Sequence, residues 1–308
     1  MMKKFELGRP PADNAPCVVA LGGFDGMHIG HRRLLAETVR LAEELHAQPC
    51  VFTFTDLSFK GMPQLLSADD RYAAMAAQGI TRICTANFDE ARTLSPAAFF
   101  EKLAHTVPLC GVVCGFNFHF GAGGAGTPET LTALAAAAGI PSVVVPPVVA
   151  EGIPVSATAV RRALREGKPE LAAALLGAPY TLRGVVAHGK GLGHTLSFPT
   201  LNLPLDDNRL IPRHGVYVSV CRVVGQTLPA VSNIGLRPTV EQSAQPNCEA
   251  HLLAPAGDLY GKQAEVSLLH FLRPERTFPN TEALARQIAR DAEQATAWLA
   301  ARDKPQNG

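Results

Sequence analysis

The sequence predicts two domains: an α/β domain with a parallel sheet, then an antiparallel β-barrel or sandwich closed by one helix. Strand-like and helix-like segments alternate through the first half of the chain, a pattern typical of βαβ units. Short strand-like segments separated by turn residues recur after about residue 181, as in all-β domains. A length of 308 residues is also more than one small core needs.

In the first half, apolar runs of strand length predict the parallel sheet. They cover residues 17–21, 49–54, 80–84, 109–114 and 141–145. Helical stretches between them are predicted over residues 31–47, 96–104 and 128–138. Gly-rich turns follow several of these strands, at the sheet edge where parallel sheets bind ligands.

The second half changes character after a short helix at residues 170–176. Strands are predicted at residues 182–187, 215–224, 228–234, 248–253 and 264–272. A last helix begins at Asn280 or Thr281 and has one apolar stripe, formed by Leu284, Ile288, Ala292, Ala295 and Leu299. We therefore expect domains at residues 1–181 and 182–308.

Composition excludes several classes of protein. Lys and Arg number 28 and Asp and Glu 27, which argues against a basic face that binds nucleic acid. The apolar runs are too short to span a membrane, and residues 1–10 lack the apolar core of a secretion signal. Seven cysteines without a Cys-x-x-Cys pair indicate buried free thiols in a reducing cytoplasm rather than metal ligands or disulfides.

The strongest local motif is His28-Ile29-Gly30-His31, which follows the first strand and Gly22-Gly23-Phe24 and begins the first helix. A helix N-terminus attracts phosphate. Gly30 allows close approach of the backbone, and imidazoles can donate hydrogen bonds to a transferring phosphoryl group. The alternative is two ordinary surface histidines.

Two further strings belong with this motif. Asn117, Phe118 and Phe120 lie in an aromatic, Gly-rich loop after the fourth strand. They can sandwich a planar ring or simply form a buried Phe cluster. Ser156 and Thr158 begin a helix that carries Arg161, so they either cap the helix or help to hold the outer phosphates of a nucleotide.

The second domain has a Gly-rich loop followed by a Pro-Thr-x-Asn string. The loop contains Gly189, Lys190, Gly191 and Gly193, and its backbone N–H groups can hold phosphates, although such loops are usually only turns. Thr200 and Asn202 are two residues apart on a predicted strand, so their side chains point to the same face. There they can bind a Mg²⁺ ion together with nucleotide oxygens. Glu249 on a later strand is either a solvated side chain or a base.

These strings resemble the bacterial bifunctional riboflavin kinase/FMN adenylyltransferase family (FAD synthetases) along nearly the whole chain. The first domain resembles the adenylyltransferase module, which implies a Rossmann-like nucleotidyltransferase fold. The resemblance implies that His28 and His31 are catalytic and that Asn117, Phe118 and Phe120 bind flavin. The ATP-binding residues that it implies here are Gly22, Phe24, Gly30, Ser156, Thr158 and Arg161.

The second domain resembles the riboflavin kinase module through Pro-Thr-x-Asn, a Gly-Val-Tyr strand at residues 215–217, an Asn-Ile-Gly-x-Arg-Pro-Thr loop and a Glu-x-His strand. The resemblance implies that Glu249 is the catalytic base and that Arg237 binds flavin. It implies that ATP binds at Gly189, Lys190, Gly191, Gly193, Thr200 and Asn202. Thr200 and Asn202 would also hold Mg²⁺.

The chain departs from the family pattern mainly in the first domain. Residues 55–58 replace a Pro-His-Pro segment, residues 122–126 lack the usual basic residues, and His119 stands where Arg is common. In the shorter strings, Ala157, Val160 and Ser197 replace Ser, Ile and Gly. The first-domain losses remove positive charge from a site for anionic ligands.

The expected small-molecule partners are riboflavin, FMN and ATP, with Mg²⁺ as cofactor and FMN and FAD as products. No nucleic acid or membrane partner is expected, and the sequence indicates no oligomeric state. Two alternatives stay open: a kinase with a degenerate adenylyltransferase domain, and a non-catalytic regulator that binds flavin or nucleotide.

Overall fold

The computed structural model describes residues 2–57, 61–188, 200–206, 208–237 and 245–302. The chain divides into two compact units, Met1–Ala157 and Thr158–Gly308. Helices α6 (Ala157–Arg165) and α7 (Pro169–Leu176) therefore lie almost wholly in the second unit. The functional boundary expected at residue 181 stays a prediction.

The first unit contains a parallel sheet in the order β1-β4-β3-β2-β5-β6. Its strands are β1 (Lys3–Glu6), β2 (Cys17–Leu21), β3 (Gln48–Phe54), β4 (Arg82–Ala86), β5 (Leu109–Gly115) and β6 (Ser142–Val145). The helices are α1 (Ile29–Glu44), α2 (Ala68–Ala77), α3 (Phe88–Ala91), α4 (Pro96–Thr106) and α5 (Pro128–Ala137). A small ribbon of β7 (Val149–Ala150) and β8 (Ile153–Pro154) follows. The predicted α/β class is confirmed, with β1, α2, α3 and the ribbon as additions.

Helices cover both faces of this sheet, which explains why its central strands are continuous apolar runs. All five residues of β2 are buried. One face packs against α4 and α5 through residues such as Leu103 and Leu131. The other packs against α1 and α2 through Leu35 and Met75. The carboxyl ends of the strands are thus left to carry a site.

The second unit is built on an antiparallel sheet in the order β10-β13-β12-β11-β14-β9. Its strands are β9 (Thr181–Val185), β10 (Thr200–Pro204), β11 (Gly215–Val223), β12 (Gln226–Arg237), β13 (Gln245–Leu252) and β14 (Gln263–Arg273). The N–H of Ala187, just beyond β9, donates to the carbonyl of Asn202 in β10 at 2.9 Å. This bridge brings the two outer strands together, so the sheet closes nearly into the predicted barrel.

Helix α8 (Thr281–Arg302) packs on this barrel through Ala295, which meets Val216, Val218 and Val231. Its cap is Asn280, whose side-chain oxygen accepts from the N–H of Ala283 at 2.8 Å, so one of the two predicted caps is confirmed.

Two predictions from composition can be compared with the structure. All seven cysteines are free thiols, and all are buried except the half-buried Cys110. Among the described ranges, no helix has both the length and the apolar character needed to span a bilayer.

Candidate active sites

The His-x-Gly-His string lies at the junction of β2 and α1, as the sequence predicts. Phe24 and Met27 adopt left-handed backbone conformations, with φ of 56° and 45°, and these turn the chain sharply into the helix. His28 is the N-cap of α1, and its Nδ1 accepts a hydrogen bond from the backbone N–H of His31 at 3.2 Å. The rings of His28 and His31 stack with centroids 3.6 Å apart. Both imidazoles are therefore fixed at the positive end of the helix dipole.

The protonation state of His28 follows from its surroundings. The residue is only 7% exposed, and burial lowers the pKa of its imidazole to about 4. At neutral pH the ring is uncharged, and its Nδ1 already serves as an acceptor. The remaining proton therefore sits on Nε2, which can donate a hydrogen bond to a negatively charged oxygen.

The loop before His28 is held by a buried arginine that the sequence analysis missed. Arg71 on α2 is fully buried and donates to the carbonyl oxygens of Gly23 at 3.0 Å and Phe54 at 2.8 Å. Thr53 Oγ1 donates to the same Gly23 oxygen at 3.1 Å. Arg71 thus ties the turn after β2 to the end of β3. The Ser67-x-x-Asp70 capping signature could have predicted α2, although not the direction of this side chain.

The carboxylate of Asp25 holds the same loop against the segment before α2. Asp25 is buried, and its Oδ1 accepts from the backbone N–H groups of Leu65 at 2.9 Å and Leu66 at 3.4 Å. Gly26 takes a φ of 78°, and a Cβ at that position would lie 2.6 Å from the Leu65 side chain. The loop and the segment before α2 are therefore packed together.

The described residues around this loop enclose a cavity of about 750 Å³. The predicted site residues that line it are Gly22, Phe24, His28, Gly30, His31, Asn117, Phe118, Phe120 and Ser156. The predicted ATP-binding residues Thr158 and Arg161 lie on α6 in the second compact unit, Thr158 exposed and Arg161 buried. They are outside the set that lines the cavity.

One wall of the cavity is aromatic. The rings of Phe118 and Phe120 stack with centroids 5.5 Å apart, and Phe99 contacts Phe120. Phe52 meets Phe99 edge-on, and all four rings line the cavity. The interpretation as a packed Phe cluster is confirmed, because the rings contact one another. The same rings also face the open space, and their binding of a planar ring stays a prediction. Such a wall fits a planar heterocycle.

Two of the places that depart from the family pattern, His119 and the glycine loop after it, lie at the cavity. His119 is exposed, and its Nδ1 lies 3.0 Å from the carbonyl oxygen of Asn117. Gly121, Gly123 and Gly124 line the cavity and have positive φ angles. The described lining includes one arginine that the sequence analysis did not select, Arg92.

In the second unit, the predicted base Glu249 and the predicted ATP- and Mg²⁺-binding residues Thr200 and Asn202 share one face of the barrel sheet. Asn202 on β10 lies opposite Glu249 on β13, which lies opposite Asn233 on β12. Thr200 lies opposite His251. Cys248 and Ala250, the neighbours of Glu249, point into the core and are fully buried, so Glu249 points to the other face.

Hydrogen bonds orient the two proposed oxygen ligands. Asn247 Nδ2 donates to Asn202 Oδ1 at 3.3 Å, and Thr200 Oγ1 lies 3.3 Å from His251 Nδ1. Burial lowers the pKa of His251, while the charge of Glu249 opposes that shift. A neutral His251 can therefore form a hydrogen bond with the Thr200 hydroxyl. It places no positive charge beside that hydroxyl.

The remaining predicted site residues cannot be placed. Gly189, Lys190, Gly191 and Gly193 fall outside the described residues, as does the side chain of Arg237, whose backbone ends β12. Their roles stay predictions.

The fold and these two side-chain clusters define an α/β nucleotide-binding unit followed by a β-barrel unit with a second polar site. The FAD synthetase family matches residues 10–159, and the riboflavin kinase family matches residues 176–299. The chain belongs to the family of bifunctional riboflavin kinase/FMN adenylyltransferases.

Curated relatives of that name cover the chain almost end to end. The protein of Pseudomonas fluorescens is 35% identical over 92% of this chain and 93% of its own. That of Listeria monocytogenes is 33% identical over 92% of both chains, and that of Escherichia coli K12 is 35% identical over 89% of this chain and 90% of its own.

A solved structure shares the fold. It is described as a macrolide-efflux protein from Streptococcus pneumoniae and superposes with a TM-score of 0.86 at 26% identity, covering 96% of this chain and all of its own.

Proposed function

We propose that this chain phosphorylates riboflavin to FMN with ATP and then adenylylates FMN to FAD with a second ATP. The observation that carries the proposal is the stacked pair His28 and His31 at a helix N-terminus, inside a cavity with an aromatic wall. Membership of the bifunctional family supports both steps.

In the first step, the 5′-hydroxyl oxygen of riboflavin attacks the γ-phosphorus of ATP, and ADP leaves. Glu249 accepts the hydroxyl proton as general base. Asn202 and Asn233 flank Glu249 in the strand register, so they can hold the reacting groups beside it.

The oxygen donors at this face fit a magnesium ion. Thr200 Oγ1 and Asn202 Oδ1 are ligands of the hard type that Mg²⁺ prefers, and Asn202 is almost fully buried with its side chain already oriented. We propose that these two residues hold Mg²⁺ with ATP. When bound, the ion neutralises charge on the phosphates. Lys190 and the glycines at 189, 191 and 193 are proposed to cover the same phosphates.

In the second step, a phosphate oxygen of FMN attacks the α-phosphorus of ATP, a P–O–P bond forms, and pyrophosphate leaves. The Nε2–H of neutral His28 donates to an oxygen on the α-phosphoryl group, where negative charge accumulates. His31 supports the same group from the stacked position. No covalent intermediate is needed. Ser156 is proposed to hold the outer phosphates, and Phe118 and Phe120 the flavin ring. The roles of Thr158 and Arg161 in ATP binding stay predictions from the resemblance.

Product analysis separates this proposal from its alternatives. The purified chain is incubated with riboflavin, Mg²⁺ and excess ATP, and the flavins are resolved by chromatography. The proposal predicts FMN followed by FAD. FMN alone would indicate a kinase with a degenerate first unit, and unchanged riboflavin would indicate a non-catalytic binding protein. A cytoplasmic location belongs to the proposal, which the seven free thiols support.

A further inference from the structure

Arg92 is an arginine of the cavity wall to which the function above gives no role. It follows helix α3, which Asn87 caps directly after β4. Its guanidinium lies over the ring of Phe88, 5.7 Å from the centroid. Phe88 in turn meets Phe54 edge-on at 5.3 Å, and all three side chains line the cavity.

The charges around the cavity make Arg92 distinctive. Among the described residues that line the cavity, Arg92 is the only lysine or arginine, and Asp25 is the only carboxylate. Asp25 is buried and accepts backbone hydrogen bonds, so it is part of the scaffold. The ion pair of Arg92 with Asp89 is 3.5 Å long between side chains that are 60% and 83% exposed. Such a pair is weak, so a ligand can replace it.

The sheet order places Arg92 away from the reacting phosphates. His28 and His31 follow β2, whereas Arg92 follows β4, and β3 lies between those strands. Two strand spacings correspond to roughly 10 Å. In FMN, a five-carbon ribityl chain separates the phosphate from the isoalloxazine ring. A flavin whose phosphate lies at the histidines is therefore long enough to bring its ring to the strand end that carries Arg92 and Phe88. The aromatic lining is continuous up to that end, because Phe99 contacts both Phe120 and Phe52, and Phe52 contacts Phe54.

We propose that Arg92 binds the isoalloxazine ring of FMN in the adenylylation step. Its planar guanidinium packs against Phe88, which meets Phe54 edge-on, and its N–H groups donate to the carbonyl oxygens of the flavin ring. A guanidinium suits this task better than an ammonium because it is planar and presents its donors in a fixed fork. This inference rests on the proposed FMN adenylyltransferase activity.

The test compares Arg92→Gln with the parent chain, with FMN and ATP varied separately. We expect the KM for FMN to rise by about 3- to 10-fold, as for one partly exposed charged contact. The KM for ATP and the kcat should stay within about twofold. Lumiflavin, which has the ring but neither ribityl chain nor phosphate, should lose potency as a competitive inhibitor by the same factor. Arg92→Lys should keep most of the defect, since it restores charge but not shape.

Controls in the same chain make the result specific. Arg40→Gln makes the same charge change on α1, where Arg40 pairs with Glu37 and Glu44, and it should leave every constant at the parental value. Riboflavin phosphorylation should be unchanged in both variants. An unchanged KM for FMN, or a rise in the KM for ATP instead, would overturn the inference.

A rise in the KM for FMN with unchanged inhibition by lumiflavin would place the contact at the phosphate and overturn the ring assignment. A parental KM for FMN in Arg92→Lys would do the same. If the parent chain makes no FAD, the proposed function fails. FMN binding, followed by flavin fluorescence without ATP, then tests Arg92 separately. Weaker binding by Arg92→Gln supports the contact, and equal binding refutes it.

Discussion

Replacing Arg71 tests whether the Gly22–Met27 turn, which precedes His28, depends on the buried hydrogen bonds from α2 to the ends of β2 and β3. Arg71→Met keeps an apolar stem of similar length but removes both short hydrogen bonds, to Gly23 at 3.0 Å and Phe54 at 2.8 Å. Arg71→Lys keeps a charge and can satisfy one carbonyl at a time. We expect the Tm and the kcat for FAD formation of Arg71→Lys to lie between those of the parent and those of Arg71→Met.

The magnitude follows from those contacts. A hydrogen bond from a charged donor contributes about 1.5–3 kcal/mol. Gly23 keeps the Thr53 hydroxyl as a donor, and burial already lowers the pKa of the guanidinium, which shows a desolvation cost that the methionine avoids. A net loss of about 3 kcal/mol in the first unit is therefore expected. For a unit of this size it corresponds to a fall in Tm of about 6–12 °C.

The catalytic effect should exceed the loss of folded protein. A small displacement of the Gly22–Met27 turn moves His28, and misplacement by about 1 Å can cost 10²-fold in rate. We expect the kcat for FAD formation from FMN to fall by about 10- to 100-fold at temperatures where the unit stays folded. Riboflavin phosphorylation on the same chain is the internal reference, and calorimetry reports the unfolding of the first unit.

Arg82→Met is the matched control. Arg82 is also buried, but it pairs with Asp13 at 2.7 Å and belongs to the β4 strand rather than to α2. Arg82→Met should lower the Tm of the first unit and leave the kcat for FAD formation close to the parental value. The reasoning would be refuted if Arg71→Met lowered Tm but kept the parental kcat, or if both variants lost activity equally.

Other predictions concern Glu249, His28 and the charge of the first site. Glu249→Gln should slow FMN formation by about 10²–10⁴-fold and spare conversion of supplied FMN to FAD; parental riboflavin phosphorylation would exclude Glu249 as the base. The low pKa of His28 means that the unfolded chain binds more protons between about pH 6.5 and 4. Stability should therefore fall by about 3 kcal/mol as pH drops through that window. His28→Asn, which preserves the helix cap, should lack this component in pH-dependent unfolding, and an identical pH dependence would contradict the assignment. FMN should accumulate ahead of FAD, and His119→Arg with Ala122→Lys should lower the KM for FMN or ATP in the second step by up to about fivefold; equal rates of the two steps in the parent would show that the missing charges do not matter.

The sequence predicts the parts of the fold in which apolar residues form a clear run or a regular periodic pattern. Strand β2 and its neighbours are apolar runs because helices cover both faces. Strand β1 is not predicted, because Lys3–Glu6 is a mostly exposed edge strand without an apolar face. Helix α1 begins two residues before the predicted start because His28 itself supplies the cap.

The candidate site is predictable only where a motif is continuous in the chain. His28, His31 and Phe118 to Phe120 belong to compact strings, and the structure brings them into one cavity. Arg71 and Arg92 come from distant segments with no motif of their own. Their roles depend on the direction of one long side chain each, which local pattern does not encode.

The central claim is that one chain carries two independent sites, and mixing two variants that each lack one of the two activities tests it most directly. His28→Asn should convert riboflavin only to FMN, and Glu249→Gln should convert riboflavin to neither product at a comparable rate. An equimolar mixture with riboflavin, Mg²⁺ and ATP should form FAD, because FMN released by the first variant reaches the intact adenylylation site of the second. FAD from His28→Asn alone, or none from the mixture, would contradict the account.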